Sequence, residues 1–323
     1  MAAPAREARG GLVVIAVIAV VVLALLALPP AMNAIGAGYY VSTAGKIVVF
    51  AIAATSLNLV LGYGGMVSFG HAAFVGLGAY ATGVLISEGV LNAGAHLAVT
   101  VAVSALAALV IGAISLRTRG VYFIMITLAF GQMLFYLANS IKGYGGDEGL
   151  NIRARSMLGF GLDLKDAPTF YYVALAVLGA TLYGLHCFVS SKFGRAIVAT
   201  RDDDVRAEAL GFATYRYRLI VFVAAGAIAG IAGALSVNQQ GYVSPSLLHW
   251  TQSGTLMVMV ILGGVASLWG GVLGAAVLVL LQETLSSYTT HWEFWTGWVL
   301  LAVVLFARHG LAGWLSTGWR RVR

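Results

Sequence analysis

"AHLAVTVAVSALAALVIGAISL", residues Ala95–Leu116, decides the fold class of this chain. It contains no Asp, Glu, Lys or Arg, and its apolar residues do not alternate with polar ones. About 20 apolar residues cross the hydrocarbon core of a bilayer as a helix, whereas a membrane strand shows a period of two. The stretch therefore reads as a spanning helix. The rest of the chain agrees: of 323 residues, 60% are hydrophobic and 10% charged, against about 45–50% and about 25% in soluble domains. Mean hydropathy is +0.91. The class is all-α, a polytopic transmembrane helix bundle.

Apolar runs bounded by Gly, Pro or charges give ten candidate spans, at about 12–28, 47–61, 69–87, 95–116, 120–139, 170–189, 218–237, 252–266, 271–286 and 292–307. The shortest must sit low in the bundle or be broken helices that face protein. "MAAPAREARGG" followed by apolar residues and "PPAMNA" also fits a cleavable signal peptide. The apolar run is long for that purpose, so Leu12–Leu28 is read as the first span.

Basic residues set the orientation. With the N-terminus inside, 14 of the 19 Lys and Arg residues fall in inner segments, leaving Lys46, Lys142, Arg153, Arg155 and Lys165 outside. The positive-inside rule then places both termini in the cytoplasm. The body is one transmembrane domain, 1–323, with two long loops, an outer one at 142–169 and an inner one at 190–217. The outer loop reads either as a solvated connection or as a functional element, since a loop this long is more often functional than a short one.

The net charge of +7 reports this loop bias rather than nucleic-acid binding. A lone cysteine, Cys187, excludes an internal disulfide framework and reads as a small packing residue. No P-loop occurs: the nearest stretch, "YYVSTAGKI", has Tyr40 and Ile47 where Gly and Ser or Thr belong. No nucleophile motif or metal-ligand cluster is present, and no histidines pair at the spacing of a helical metal site. Among carboxylates only Glu283 lies within a span, near its outer end, where it would reach the interface.

Glycine is the positive signal, with 41 residues. Gly226-x-x-x-Gly230 and Gly270-x-x-x-Gly274 place small residues on one helix face and point to close helix packing. "GGMVS" (Gly64–Ser68) and "GGVAS" (Gly263–Ser267) form a weak internal echo at the inner ends of two spans. In "LGYGGMVSFGHAAF", glycines capable of breaking the helix lie beside polar side chains. Asn58, Gly64, Gly65, Ser68 and His71 are thus candidates for a translocation path. For His71 the reading as a hydrogen-bonded packing histidine comes ahead of a role in the path.

"RDDDVRAEALG", Arg201–Gly211, packs six charges into eleven residues. Asp202 or Asp203 can cap a helix, Asp202 and Arg206 have the favourable i, i+4 order, and Gly211 stands where a left-handed residue ends a helix. Val205, Ala209 and Phe212 make one apolar stripe, and Asp204 and Glu208 add charge. A helix this short is marginal alone. The segment is either a solvated loop that sets topology or a helix docked into a partner.

Two long stretches carry a resemblance. "SLNLVLGYGGMVSFGHAAFVGLGAY" (Ser56–Tyr80) and "GRAIVATRDDDVRAEALGFATYRYRLIVFVAAGAIAGIAGAL" (Gly194–Leu235) resemble branched-chain amino acid ABC importer permeases of the LivM type. "GGDEGL" (Gly145–Leu150) and "ILGGVASLWGGVLGA" (Ile261–Ala275) fit as well. The resemblance covers about residues 45–307 and implies a multi-pass subunit of the bacterial inner membrane.

In such importers two permeases pair, two ATP-binding cassette ATPases dock beneath them, and an external binding protein delivers the substrate. The resemblance thus implies lipid and those proteins as partners, and no nucleic acid. No cofactor or metal would be bound by this chain, since ATP and Mg belong to the ATPase; the chain would not itself be an enzyme. The family's coupling helix has an "EA…G" core, matched here by Glu208, Ala209 and Gly211, within a coupling segment from Arg201 to Phe212. The family's "GGxGTxxGP" is altered, with Ala266, Ser267 and Gly271 at the Gly, Thr and Pro positions. No substrate contact is carried onto that stretch. Relatives also serve urea, short amides and aromatic acids, and an ATP-independent secondary transporter is the competing mechanism.

Overall fold

The computed structural model describes residues 23–34, 36–157, 164–306 and 310–313. Residues 12–22 of the first expected span, both chain ends and the cleavage question lie outside the described residues. The described helices are α1 (Leu23–Ala34), α2 (Tyr39–Asn58), α3 (His71–Ser87), α4 (Ala93–Ser115), α5 (Val121–Ser140), α6 (Ala167–Ser190), α7 (Lys192–Asp202), α8 (Asp204–Ala209), α9 (Thr214–Gln240), α10 (Trp250–Gly263), α11 (Gly270–Tyr288) and α12 (Trp292–Phe306). A π-helical turn, Leu59–Tyr63, continues α2.

Among the described residues, six helices are long and apolar enough to cross a membrane: α2 with its π turn, α4, α5, α6, α9 and α11. Helices α1, α3 and α10 are apolar but shorter. Apart from α7 and α8, the described helices follow the order of the expected segments; α1 overlaps the first only at residues 23–28 and runs on through Pro29 and Pro30 to Ala34. Helix α2 begins well before residue 47, because the polar "YYVSTAGK" is accommodated by neighbours: Lys46 pairs with Glu283 at 2.8 Å, and Tyr39 donates to the same carboxylate at 3.0 Å. Glu283 is therefore tied to α2. Helix α7 lies within the segment 190–217, which the sequence presents as a loop. Its stripe of Ala196, Ile197 and Thr200 is buried, and Ser191 caps it by accepting from the Gly194 N–H at 3.1 Å.

Helices α2 and α9 form the centre, with 72% and 67% of their apolar windows buried against 17% for α5 and α6. Small residues let the neighbours close on α9. Gly226 faces Ala108 and Gly230 faces Ser104 on α4, while a Cβ on Gly233 would collide with the Val75 carbonyl of α3. Gly270 and Gly274 likewise receive the backbone of the α10 end.

The path α2–α5 is repeated upside down by α9–α12. Gln239 at the end of α9 donates to the Ser42 carbonyl at the start of α2 (2.8 Å), so the two long helices run antiparallel. Each ends in a left-handed glycine, Gly65 (φ 67°) or Gly241 (φ 69°), with Val-Ser two residues later and then a shorter helix. The starts of those short helices meet where Ala72 N–H donates to Ser253 Oγ at 2.9 Å. The structural counterpart of Gly65–Ser68 is thus Gly241–Ser244. The sequence echo pairs it instead with Gly263–Ser267, which forms the turn between α10 and α11. Inverted repeats with interrupted helices are a recurrent transporter architecture.

The outer loop is anchored up to Met157. Strand β1 (Leu150–Asn151) pairs antiparallel with β2 (Tyr242–Val243). Ser156 N–H donates to Asn238 Oδ1 at 2.8 Å, and the His96 ring lies 2.7 Å from Ser156 Oγ. Ile152 is buried between α3 and α9. Residues 158–163 of the same loop lie outside the described residues.

Candidate functional site

The charged segment folds as two short helices. Asp203, between them, is the cap of α8, accepting from the Arg206 N–H at 3.0 Å. Asp202 instead ends α7 and pairs with Arg201 at 2.8 Å, so the expected Asp202–Arg206 pair gives way to Asp203–Arg206 at 3.3 Å. The capping position decides this, because Asp203 is extended and already beside the first turn of α8. At the other end Gly211 takes φ 88°, its N–H donating to the Glu208 carbonyl (2.9 Å) and that of Phe212 to Ala207 (3.1 Å). This paired closure satisfies the last carbonyls of the helix.

The apolar stripe of α8 faces away from the chain. Val205 and Leu210 are 71% and 72% exposed, and Phe212 and Ala209 are exposed beside them. Leu210 is an addition to the stripe expected from spacing. Only Ala207 is buried.

Charges hold α8 to the bundle. The Asp204 carboxylate, only 13% exposed, lies 3.2 Å from Arg119 in the α4–α5 turn and 3.1 Å from Arg218 in the first turn of α9. Glu208 lies 3.3 Å from the same Arg119 and accepts from Thr214 Oγ1 at 2.7 Å. Arg119, Arg218 and Thr214 are site residues that sequence reasoning misses; they stand in short polar stretches at helix ends, "RTR" (Arg117–Arg119) and "TYRYR" (Thr214–Arg218), with no local pattern that names their partners.

Arg201 joins this region to the candidate path. Its guanidinium donates to the Gly62 carbonyl at 2.8 Å, and its aliphatic stem lies over Gly65, where a Cβ would clash with it. Gly64 ends the π turn, its N–H donating to Leu59 O at 3.0 Å. Turns of this kind often mark functional sites.

The five expected path residues do not share one surface. Asn58 is buried and its carboxamide grips the turn between α10 and α11, accepting from Ala266 N–H at 3.0 Å and donating to the Ser267 carbonyl at 2.6 Å. Ser68 and His71 are fully buried at the start of α3. The Ser56 hydroxyl donates to the Ala53 carbonyl (2.7 Å), so it accepts from His71 Nε2–H at 2.8 Å. That tautomer leaves His71 Nδ1 as an acceptor without a partner, and Ser68 Oγ is likewise unpartnered.

The family model described as "Branched-chain amino acid transport system / permease component" matches residues 39–308, which take in both inverted halves and α8. The chain belongs to this family. It is 28% identical over 295 residues to the high-affinity branched-chain amino acid transport permease LivM of Salmonella typhimurium, covering 84% of this chain and 69% of that protein. Identity to LivM of Escherichia coli K12 is also 28%, over 287 residues, with 81% and 67% covered. A more distant relative, the autoinducer 2 import permease LsrC of Shigella flexneri, is 29% identical over 170 residues, 46% of this chain and 47% of that one. No solved structure matches the chain significantly. As a member of the permease family, this chain is a multi-pass membrane protein of transport rather than a soluble binding module.

Proposed function

We propose that the chain is one membrane subunit of an ATP-binding-cassette importer for branched-chain amino acids. It pairs with a second permease, rests on two ATPase subunits and receives substrate from an external binding protein. The observation that carries this reading is α8: a helix capped at both ends, fixed by buried charge, that leaves Val205, Ala209 and Leu210 exposed, with Phe212 half-covered by Tyr217 at their edge. An apolar helix face fits a groove in a partner, and the sequence carries no P-loop, which is in keeping with ATP and its Mg being bound by that partner. The segment 190–217 then lies in the cytoplasm, a placement that the distribution of basic residues supports, and residues 142–169 face the binding protein.

Two substitutions test the docking face without touching the charges that fold α8. Val205→Asp and Leu210→Asp, in tagged chain extracted with mild detergent, are expected to abolish recovery of a P-loop ATPase while recovery of the permease itself is unchanged. Full ATPase recovery with both variants would refute the assignment of that face.

A further inference from the structure

The exposed face of α8 explains how it would be gripped, but not how its movement would reach the membrane helices. Helix α8 contributes only Ala207 to the interior. Besides its two chain connections, the carboxylates of Asp204 and Glu208 tie it to Arg119, Arg218 and Thr214 among the described residues. Asp204 points inward, away from the apolar face, and one of its oxygens is shared by Arg119 and Arg218 at 3.2 and 3.1 Å. Arg218 is itself only 18% exposed. An ion pair so shielded is screened far less by salt than a surface pair, and removal of one member leaves an uncompensated charge in a poor solvent.

The two arginines belong to different elements of the bundle. Arg218 lies in the first turn of α9, the central helix that packs on α2, α3 and α4, and Arg119 lies in the turn that joins α4 to α5. Beside them is a cavity of about 160 Å³ bounded by Arg119, Arg218, Phe123 and the Gly65–Val67 segment that leads into α3. The arginine side chains therefore have space to move towards the non-helical stretch below α3.

From this geometry we propose that Asp204, with Arg119 and Arg218, forms the joint that transmits movement of α8 to α9 and to the α4–α5 turn. These are positioning residues: they touch neither substrate nor ATP. The proposal rests on the importer reading above. It is a conformational step, with no bond made or broken beyond the ion pairs.

The test uses the assembled importer in liposomes and reads substrate taken up per ATP hydrolysed for wild type, Asp204→Asn, Arg218→Gln, Arg218→Lys and the double variant Asp204→Asn/Arg218→Gln. The joint predicts a fall of about tenfold or more in that ratio for each neutralising change, since breaking a shielded pair is strongly unfavourable. It also predicts partial recovery with Arg218→Lys, and a double variant no worse than the single ones. An unchanged ratio in Asp204→Asn, or losses that multiply in the double variant, would overturn the joint. Failure of both Asp204→Asn and Arg218→Lys to assemble would also overturn it, in favour of a purely structural role. A wild-type complex without ATP-dependent uptake would instead refute the importer reading itself, so the two failures are distinguishable.

Discussion

Asn58 Nδ2 donates to the Ser267 carbonyl at 2.6 Å, binding the end of α2 to the turn between α10 and α11. The same carboxamide accepts from the Ala266 N–H at 3.0 Å. One buried side chain thus satisfies two backbone groups of a turn remote in sequence. In Asn58→Ala the Ala266 N–H loses its partner, while the Ser267 carbonyl keeps the Gly270 N–H at 3.0 Å; the orphaned donor costs roughly 1–3 kcal/mol if it stays buried. The thermal unfolding midpoint of the purified protein in detergent is expected to fall; an unchanged midpoint would show that the turn holds without the clamp.

Ala266 sits in that turn at φ 60°, and among the described residues it is the one non-glycine with positive φ. An L-residue pays about 1–2 kcal/mol for the left-handed region, partly offset by the greater freedom glycine has when unfolded. Ala266→Gly is therefore expected to stabilise by roughly 0.5–1 kcal/mol, read as a higher unfolding midpoint. A lower midpoint would contradict the strain.

Gly233 and Gly179 separate two uses of glycine. A Cβ on Gly233 would meet the Val75 carbonyl, which is backbone, whereas nothing lies within 4 Å of a Cβ on Gly179 in α6. Gly233→Ala forces α3 and α9 apart and is expected to destabilise by about 1–3 kcal/mol. Gly179→Ala is expected to stabilise by roughly 0.5–1 kcal/mol through helix propensity. Equal effects of the two changes on detergent unfolding would reject the packing of α9 described above.

Gly211, at φ 88°, closes α8 with open space around its Cα. In Gly211→Ala only backbone strain opposes the closure, at about 1–2 kcal/mol. Amide exchange across α8 should speed up several-fold while that of α9 stays slow. No change in α8 would mean that its end is held by something other than the glycine.

Much of this architecture is legible from local chemistry. The runs that form α4, α5 and α11 are apolar between clear breaks, so their positions follow from composition alone. The charged segment shows its own ends: an acidic residue before the first turn and a glycine after the last. Two Asp residues compete for the cap, however, and only the extended backbone at Asp203 separates them. Helix α7 is hidden in the sequence because its buried stripe is short and lies among Lys, Arg and Asp. The pairing of Asp204 with Arg119 and Arg218 is tertiary; no spacing rule joins a turn, a two-turn helix and the start of α9. The inverted repeat is mispaired by sequence for a related reason. Gly-Gly spacing is common in this chain, whereas the equivalence of Gly65 and Gly241 rests on their shared left-handed backbone and on the short helix that begins after each.

The central claim is that this chain moves branched-chain amino acids only as part of an ATP-driven assembly. The most direct measurement is uptake of labelled leucine into liposomes, comparing the purified chain alone with the complete complex supplied with ATP and binding protein. The account predicts uptake by the complex that stops when either ATP or the binding protein is withheld, and none from the chain alone. Ion-gradient-driven uptake by the chain alone, indifferent to ATP, would contradict it.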